Sequence, residues 1–257
     1  MALFESGNPA LSEKRFRASN NPQAMASGEV MTVKGTLNKF GLLFLLMMST
    51  AVYSWKAFAV NDNSNMLPLI IGGAIGGLLV AIVISFKPVW SSFLAPVYAL
   101  CEGLFLGAIS AFYSNAFSGV APNLIGTAVG LTFGVAIAIY ALYRSGIIRV
   151  TETLRSVVFS AVTGIAIFYL IAMVLRMTGW ADLGFLHEGT PLGIGFSLVV
   201  VAIAALKLLL DFDFVHQAAE QGAPKYMEWY GAFGLMVTIV WLYLEILRLL
   251  SKLNSRD

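Results

Sequence analysis

Lys207, Asp211 and Asp213 fall within seven residues of one another, inside the apolar segment LKLLLDFDFV. The run they close begins near Pro191 and carries no charge from Gly193 to Ala205. An ionisable group at membrane depth costs about 2.5–3.5 kcal/mol on insertion scales, so it persists where it meets a protein interior, a water-filled path or another charge. Deprotonating a carboxylate held there creates a cation site and alters a helix contact in one step. Lys207 and Asp211 are four apart and share a helix face. Asp211 and Asp213 are two apart and diverge by roughly 200°, so they do not form a proton-sharing dyad within one helix. The spacing predicts that Asp211 pairs with Lys207 and that Asp213 faces another helix or the inner mouth. Lysine ahead of aspartate is the weaker order, and an aspartate at a helix C-terminus opposes the macrodipole. The bland alternative is a helix end at the wet boundary with Lys207 snorkelling to water.

Other carboxylates extend the set of candidate proton- and ion-sensing residues to Glu102 and Glu228. Glu102 lies about ten residues into the third apolar span, hence ~15 Å deep. A Glu102–Lys207 pair competes with Lys207–Asp211, and a neutral Glu102 bonded to a backbone carbonyl is the plainer reading. Glu228 opens the last span, where a carboxylate suits a helix N-terminus and capping is expected. Glu245 and Arg248, three apart, read as an interfacial ion pair. Catalytic templates are absent: His187-Glu188 lacks a second histidine at zincin spacing, and there is no GxSxG, CxxC or GxxxxGK[ST]. An enzyme is not expected. His187 and His216 read as solvated loop histidines, and the last span has no mid-helix lysine to hold a retinal.

The elements that carry these residues are set by composition. Hydrophobic residues make up 58% of the 257-residue chain and charged residues 12%, half the usual ~25%. The net charge of +2 is too small to argue for nucleic acid, and the single Cys101 excludes an internal disulfide. A spanning helix needs about 20 apolar residues. Seven stretches qualify: Leu37–Ala59, Met66–Phe86, Ser92–Tyr113, Asn123–Tyr143, Ser156–Leu175, Pro191–Phe212 and Trp229–Leu250. Breakers separate them at Asn61–Asn65, Lys87-Pro88, Pro122, Gly146, Gly179 and Gln221–Pro224. The expectation is an all-α integral membrane protein: a polar tail over residues 1–36, no signal peptide, and a seven-helix domain over 37–257. Six spans plus a re-entrant last segment is the rival.

Basic residues place the N-terminus in the cytoplasm, with Lys14, Arg15, Arg17, Lys34, Lys39, Lys87, Arg144, Arg149, Arg155 and Lys225 inside. Lys56, Arg176, Arg248, Lys252 and Arg256 fall outside, so the basic C-terminal tail runs against the bias. Trp55, Trp180, Trp90 and Trp229 then form two aromatic belts. Small-residue patterns at Gly72, Gly73, Gly76 and Gly77, at Gly103 and Gly107, and at Gly126, Gly130 and Gly134 predict close helix packing.

Three segments carry a family resemblance: NPALSEKRF in the tail, PVYALCEGLFLGAIS in the third span, and LLLDFDFVHQAAEQGAPKYMEWYGAFGLMVTIVWLYLEILRLLSKL at the end. They resemble the bacterial Bax inhibitor-1 family of transmembrane Bax-inhibitor-motif proteins, over nearly the whole chain. The resemblance implies two three-helix layers around a central last helix, in a multi-pass protein of the bacterial inner membrane. It also implies a pH-sensitive calcium leak built on one aspartate at the end of helix six and another within helix seven. Other relatives are tied to a membrane protease quality-control system. Asp213, with Asp211 as the alternate, matches the helix-six aspartate, and these two are the candidate calcium ligands. The helix-seven position falls near Thr238, where no carboxylate stands, and the family's helix-two arginine has no counterpart in Met66–Phe86.

Two functions follow. One is a pH-sensitive cation leak, with calcium as permeant ion and no bound cofactor. The other is a non-transporting regulator that binds a membrane protease or another membrane partner. The buried carboxylates favour the first and the missing second aspartate favours the second.

Overall fold

The computed structural model describes residues 30–60, 66–179 and 189–255. The tail through Glu29, Trp180, His187, Glu188 and Arg256 lie outside the described residues. Among the described residues seven long α-helices follow one another: α1 Val33–Val60, α2 Met66–Phe86, α3 Ser91–Ala116, α4 Leu124–Arg144, α5 Glu152–Thr178, α6 Pro191–Glu220 and α7 Met227–Asn254. A single 3-10 turn, Pro88–Trp90, joins α2 to α3. All seven are long and apolar enough to cross a membrane. Among the described residues no strand forms, only an isolated antiparallel bridge between Val30 and Pro224.

Local chemistry sets the helix ends. Thr151 caps α5 by accepting a hydrogen bond from Leu154 N at 3.2 Å. Glu152 in the first turn and Arg176 in the last complement the macrodipole. Gly179, at φ 70°, then closes the helix in the left-handed conformation that glycine adopts without strain. The seven expected spans are all present. The largest difference is α6, which continues eight residues past Phe212 to Glu220. His216 therefore lies on α6 rather than in a loop, with Nε2 3.2 Å from Glu220 Oε1. At the other end of the domain, α1 starts at Val33 and Met31 is buried at 1% exposure, so packed structure begins before residue 37.

The chain forms two compact units. The first holds α1, α2 and α3 through Ala111, with Phe214–Met236 from the end of α6 and the start of α7. Its helices approach closely at glycines. A Cβ at Gly103 would strike Met47 and Thr50 of α1, and one at Gly107 would strike the backbone of Ala51. One at Gly73 would come within 2.8 Å of Cys101 O. Hydroxyls reinforce these crossings: Thr50 Oγ1 donates to Leu100 O at 3.0 Å and Ser54 Oγ to Leu104 O at 2.8 Å.

The second unit holds Phe112–Asp213 and the remainder of α7 from Val237. Here the glycine expectation fails, because nothing lies within 4 Å of a Cβ built at Gly126, Gly130 or Gly134. Aromatic contacts do the packing instead. Phe212 meets Tyr140 at 5.1 Å, and Phe196 meets Phe168 at 5.3 Å. The last helix is the most enclosed of the seven: 61% of its most apolar stretch is buried, against 6% for α5.

Candidate functional site

Because α6 runs unbroken to Glu220, Lys207, Asp211 and Asp213 stand within the helix and not at its end. The expected conflict with the macrodipole does not arise, since that effect is confined to the last turn. Lys207 Nζ donates to Asp211 Oδ1 along one face, as the four-residue spacing predicts. Across from it, Thr238 Oγ1 of α7 donates to Asp211 Oδ2. The Asp211 side chain is 14% exposed and that of Lys207 34%. Each oxygen of a mostly buried carboxylate thus has its own donor, one charged and one neutral.

Asp213 turns away, as the 200° divergence requires. Arg155 Nη2 of α5 lies 3.0 Å from its Oδ2, and the Tyr143 hydroxyl of α4 3.4 Å from its Oδ1. Arg155 also meets Glu152 at 3.2 Å. The two aspartates serve different helix contacts, each beside its own cation. The residue that meets Thr238 is Asp211, the alternate, while Asp213 meets Arg155. No group of three or more His, Cys, Asp or Glu side chains arranged to hold a metal ion occurs among the described residues.

Glu102 and Glu228 occupy different surroundings. Glu102 is hydrogen-bonded to the Tyr98 hydroxyl one turn earlier on α3, and its carboxylate faces Gly77 of α2. Lys207 pairs with Asp211, so of the two competing pairs it is Lys207–Asp211 that forms. Glu228 is fully buried and collects donors from three directions: Lys39 Nζ, Lys225 Nζ at 2.9 Å, and both N and Oγ1 of Thr32 at 2.9 Å. Thr32 Oγ1 in turn accepts from Gly35 N at 2.9 Å. Glu228 stands in the first turn of α7, where a carboxylate is expected, and it also helps to satisfy the start of α1.

A third cluster was only half visible in the sequence. Glu245 and Arg248 do pair, at 2.9 Å, but Glu245 is 2% exposed and the pair is not a surface one. The Tyr169 hydroxyl of α5 lies 3.2 Å from Glu245 Oε1 and accepts from Arg248 Nη1 at 2.6 Å. Trp241 Nε1 donates to Glu245 at 3.3 Å. Lys252, counted above with a basic tail, is 1% exposed and donates to Gly193 O at 2.9 Å and Ser197 Oγ at 2.8 Å. The available signal was spacing: Thr238, Glu245 and Lys252 recur every seven residues, on one helix face.

Comparison with protein families finds that the family described as Bax inhibitor 1 like matches residues 8–255, nearly the full chain. Comparisons with curated proteins and with solved structures returned no match.

Proposed function

The chain belongs to the Bax inhibitor 1 like family, and from that premise we propose that it is a pH-sensitive cation leak, with calcium as the permeant ion. It is read as a multi-pass protein of the bacterial inner membrane with its N-terminus in the cytoplasm. The observation that carries the reading is the Lys207–Asp211–Thr238 contact, where a mostly buried carboxylate couples α6 to α7. Protonation of Asp211 would weaken its bond to Lys207 and change the hold of α6 on α7. In its ionised form the same group is the one a passing hard cation would meet. Asp213, anchored by Arg155, is assigned to holding α5 on α6.

A two-carboxylate latch stays closed while its members share a proton and opens by repulsion as pH rises. Thr238 supplies a hydroxyl where the second carboxylate would stand, so the pH response of the unmodified protein rests on Asp211 alone and is expected to be shallower than that of a two-carboxylate latch, unless Glu102 or Glu228 substitutes. The test is calcium entry into dye-loaded proteoliposomes between about pH 5 and 8, the range in which perturbed carboxylates titrate. Thr238→Asp should steepen the pH response, and Asp211→Asn in that background should abolish it.

One observation favours a second reading. Both Asp211 oxygens already have donors, which suits a fixed helix contact as well as a gate. In that reading the protein regulates a membrane protease or another membrane partner without transporting ions. Absence of calcium entry from every variant at every pH would leave that reading standing.

A further inference from the structure

Beyond Thr238, one face of α7 remains polar to the end of the helix. Thr238, Trp241, Glu245, Arg248 and Lys252 alternate at spacings of three and four and therefore form a single stripe. Fourteen residues of helix make that stripe about 21 Å long, some two-thirds of a ~30 Å hydrocarbon core. Three of its members lie inside the protein, Thr238 at 3% exposure, Glu245 at 2% and Lys252 at 1%, while Trp241 and Arg248 are half-buried. These three meet two helices of the second unit, α6 at two places and α5 between them. Thr238 meets Asp211 of α6, Glu245 meets Tyr169 of α5, and Lys252 meets Gly193 and Ser197 at the start of α6.

A helix that needed only to pack would fill such a face with apolar or small side chains. Charged groups in a span are expensive and mark ion pathways when they line up in the interior. We propose that this stripe is the route by which cations cross the second unit, with Glu245, Arg248 and Tyr169 forming a charged constriction separate from Asp211. The inference rests on the leak reading and locates its path. Glu245 is the cation-attracting member. Arg248 neutralises it, and Lys252 adds a fixed positive charge beyond, as basic residues in a pore do when they oppose cation passage. Tyr169, bonded to both partners of the ion pair, holds the constriction shut.

Opposite signs distinguish this role from a structural one. Lys252→Met and Arg248→Gln should each raise calcium entry into proteoliposomes, by about tenfold, since each removes a repulsive charge beside the path. Glu245→Gln should lower it by a similar factor. Loss of folding would reduce entry in all three, so each variant is first checked for a cooperative thermal transition in detergent. Tyr169→Phe keeps the ring and both charges and should raise entry, so it carries the test if the charge variants misfold. Entry that changes in Asp211→Asn but not in any folded stripe variant overturns the path while leaving the leak intact. A change in the same direction for Lys252→Met and Glu245→Gln also overturns it. No entry from any protein, Thr238→Asp included, removes the leak reading and the path together.

Discussion

Glu228 and Asp211 are both acidic side chains drawn into the protein beside a lysine, yet their surroundings differ in kind. Glu228 is fully buried with two ammonium groups and two further donors from Thr32, a segment 196 positions earlier in the chain. Asp211 has one ammonium from its own helix and one hydroxyl from the next, and keeps 14% of its side chain exposed. A carboxylate surrounded by four donors has little to gain from a new partner. One with two donors, a charged one partly open to solvent, can exchange them. The contrast separates a pin from a candidate switch, and it comes from donor count and access rather than residue type.

The largest effect is expected at Glu228. Glu228→Ala leaves Lys39 and Lys225 without their carboxylate and the start of α1 without its acceptor, and should cost about 3–5 kcal/mol. Thermal unfolding in detergent reads this as the largest loss of any single variant considered. Lys207→Met should cost less, about 1–3 kcal/mol, because Thr238 still donates to Asp211 and the lysine is one-third exposed. A cost equal to that of Glu228→Ala would erase the distinction. Thr238→Val removes one neutral donor and should cost about 1 kcal/mol, while shifting the pH dependence of flux more than it shifts stability. The smallest effect belongs to the glycines. Gly130→Ala adds a methyl where nothing lies within 4 Å, and should stabilise α4 by about 0.5–1 kcal/mol. A clear loss of stability there would mean that another surface covers that face in the assembled protein.

Seven helices were legible because hydropathy reports the thickness of a bilayer. Hydropathy does not report where a helix stops. Phe214–Glu220 turns polar while remaining helical, so α6 ran past its expected end and carried His216 with it. Local spacing disclosed Lys207–Asp211 and Glu245–Arg248, since partners three and four apart face each other on any helix. It could not disclose Thr238 as the partner of Asp211, nor Thr32 as that of Glu228, because those contacts close over 27 and 196 positions. Lys252 was hidden for another reason. A lysine near a helix end normally reaches water, and only the backbone carbonyl of Gly193 and the hydroxyl of Ser197 draw this one inward. Glycine patterns in α2, α3 and α4 look alike in sequence, and only the packed helices tell which are used.

The hold of Glu228 on Thr32 also carries a timetable. A ribosome adding about 5–20 residues per second needs roughly 10–40 s to make the 196 positions between them. Through that interval the first helix exists with its leading end unsecured, and neither the Met31–Ala223 backbone bond at 2.7 Å nor the Val30–Pro224 bridge can form. Residues 30–32, made early, are therefore among the last to be fastened. A chain cut short before α7 would retain six spans and still present an unclosed N-terminal segment, a lasting sign that synthesis was incomplete.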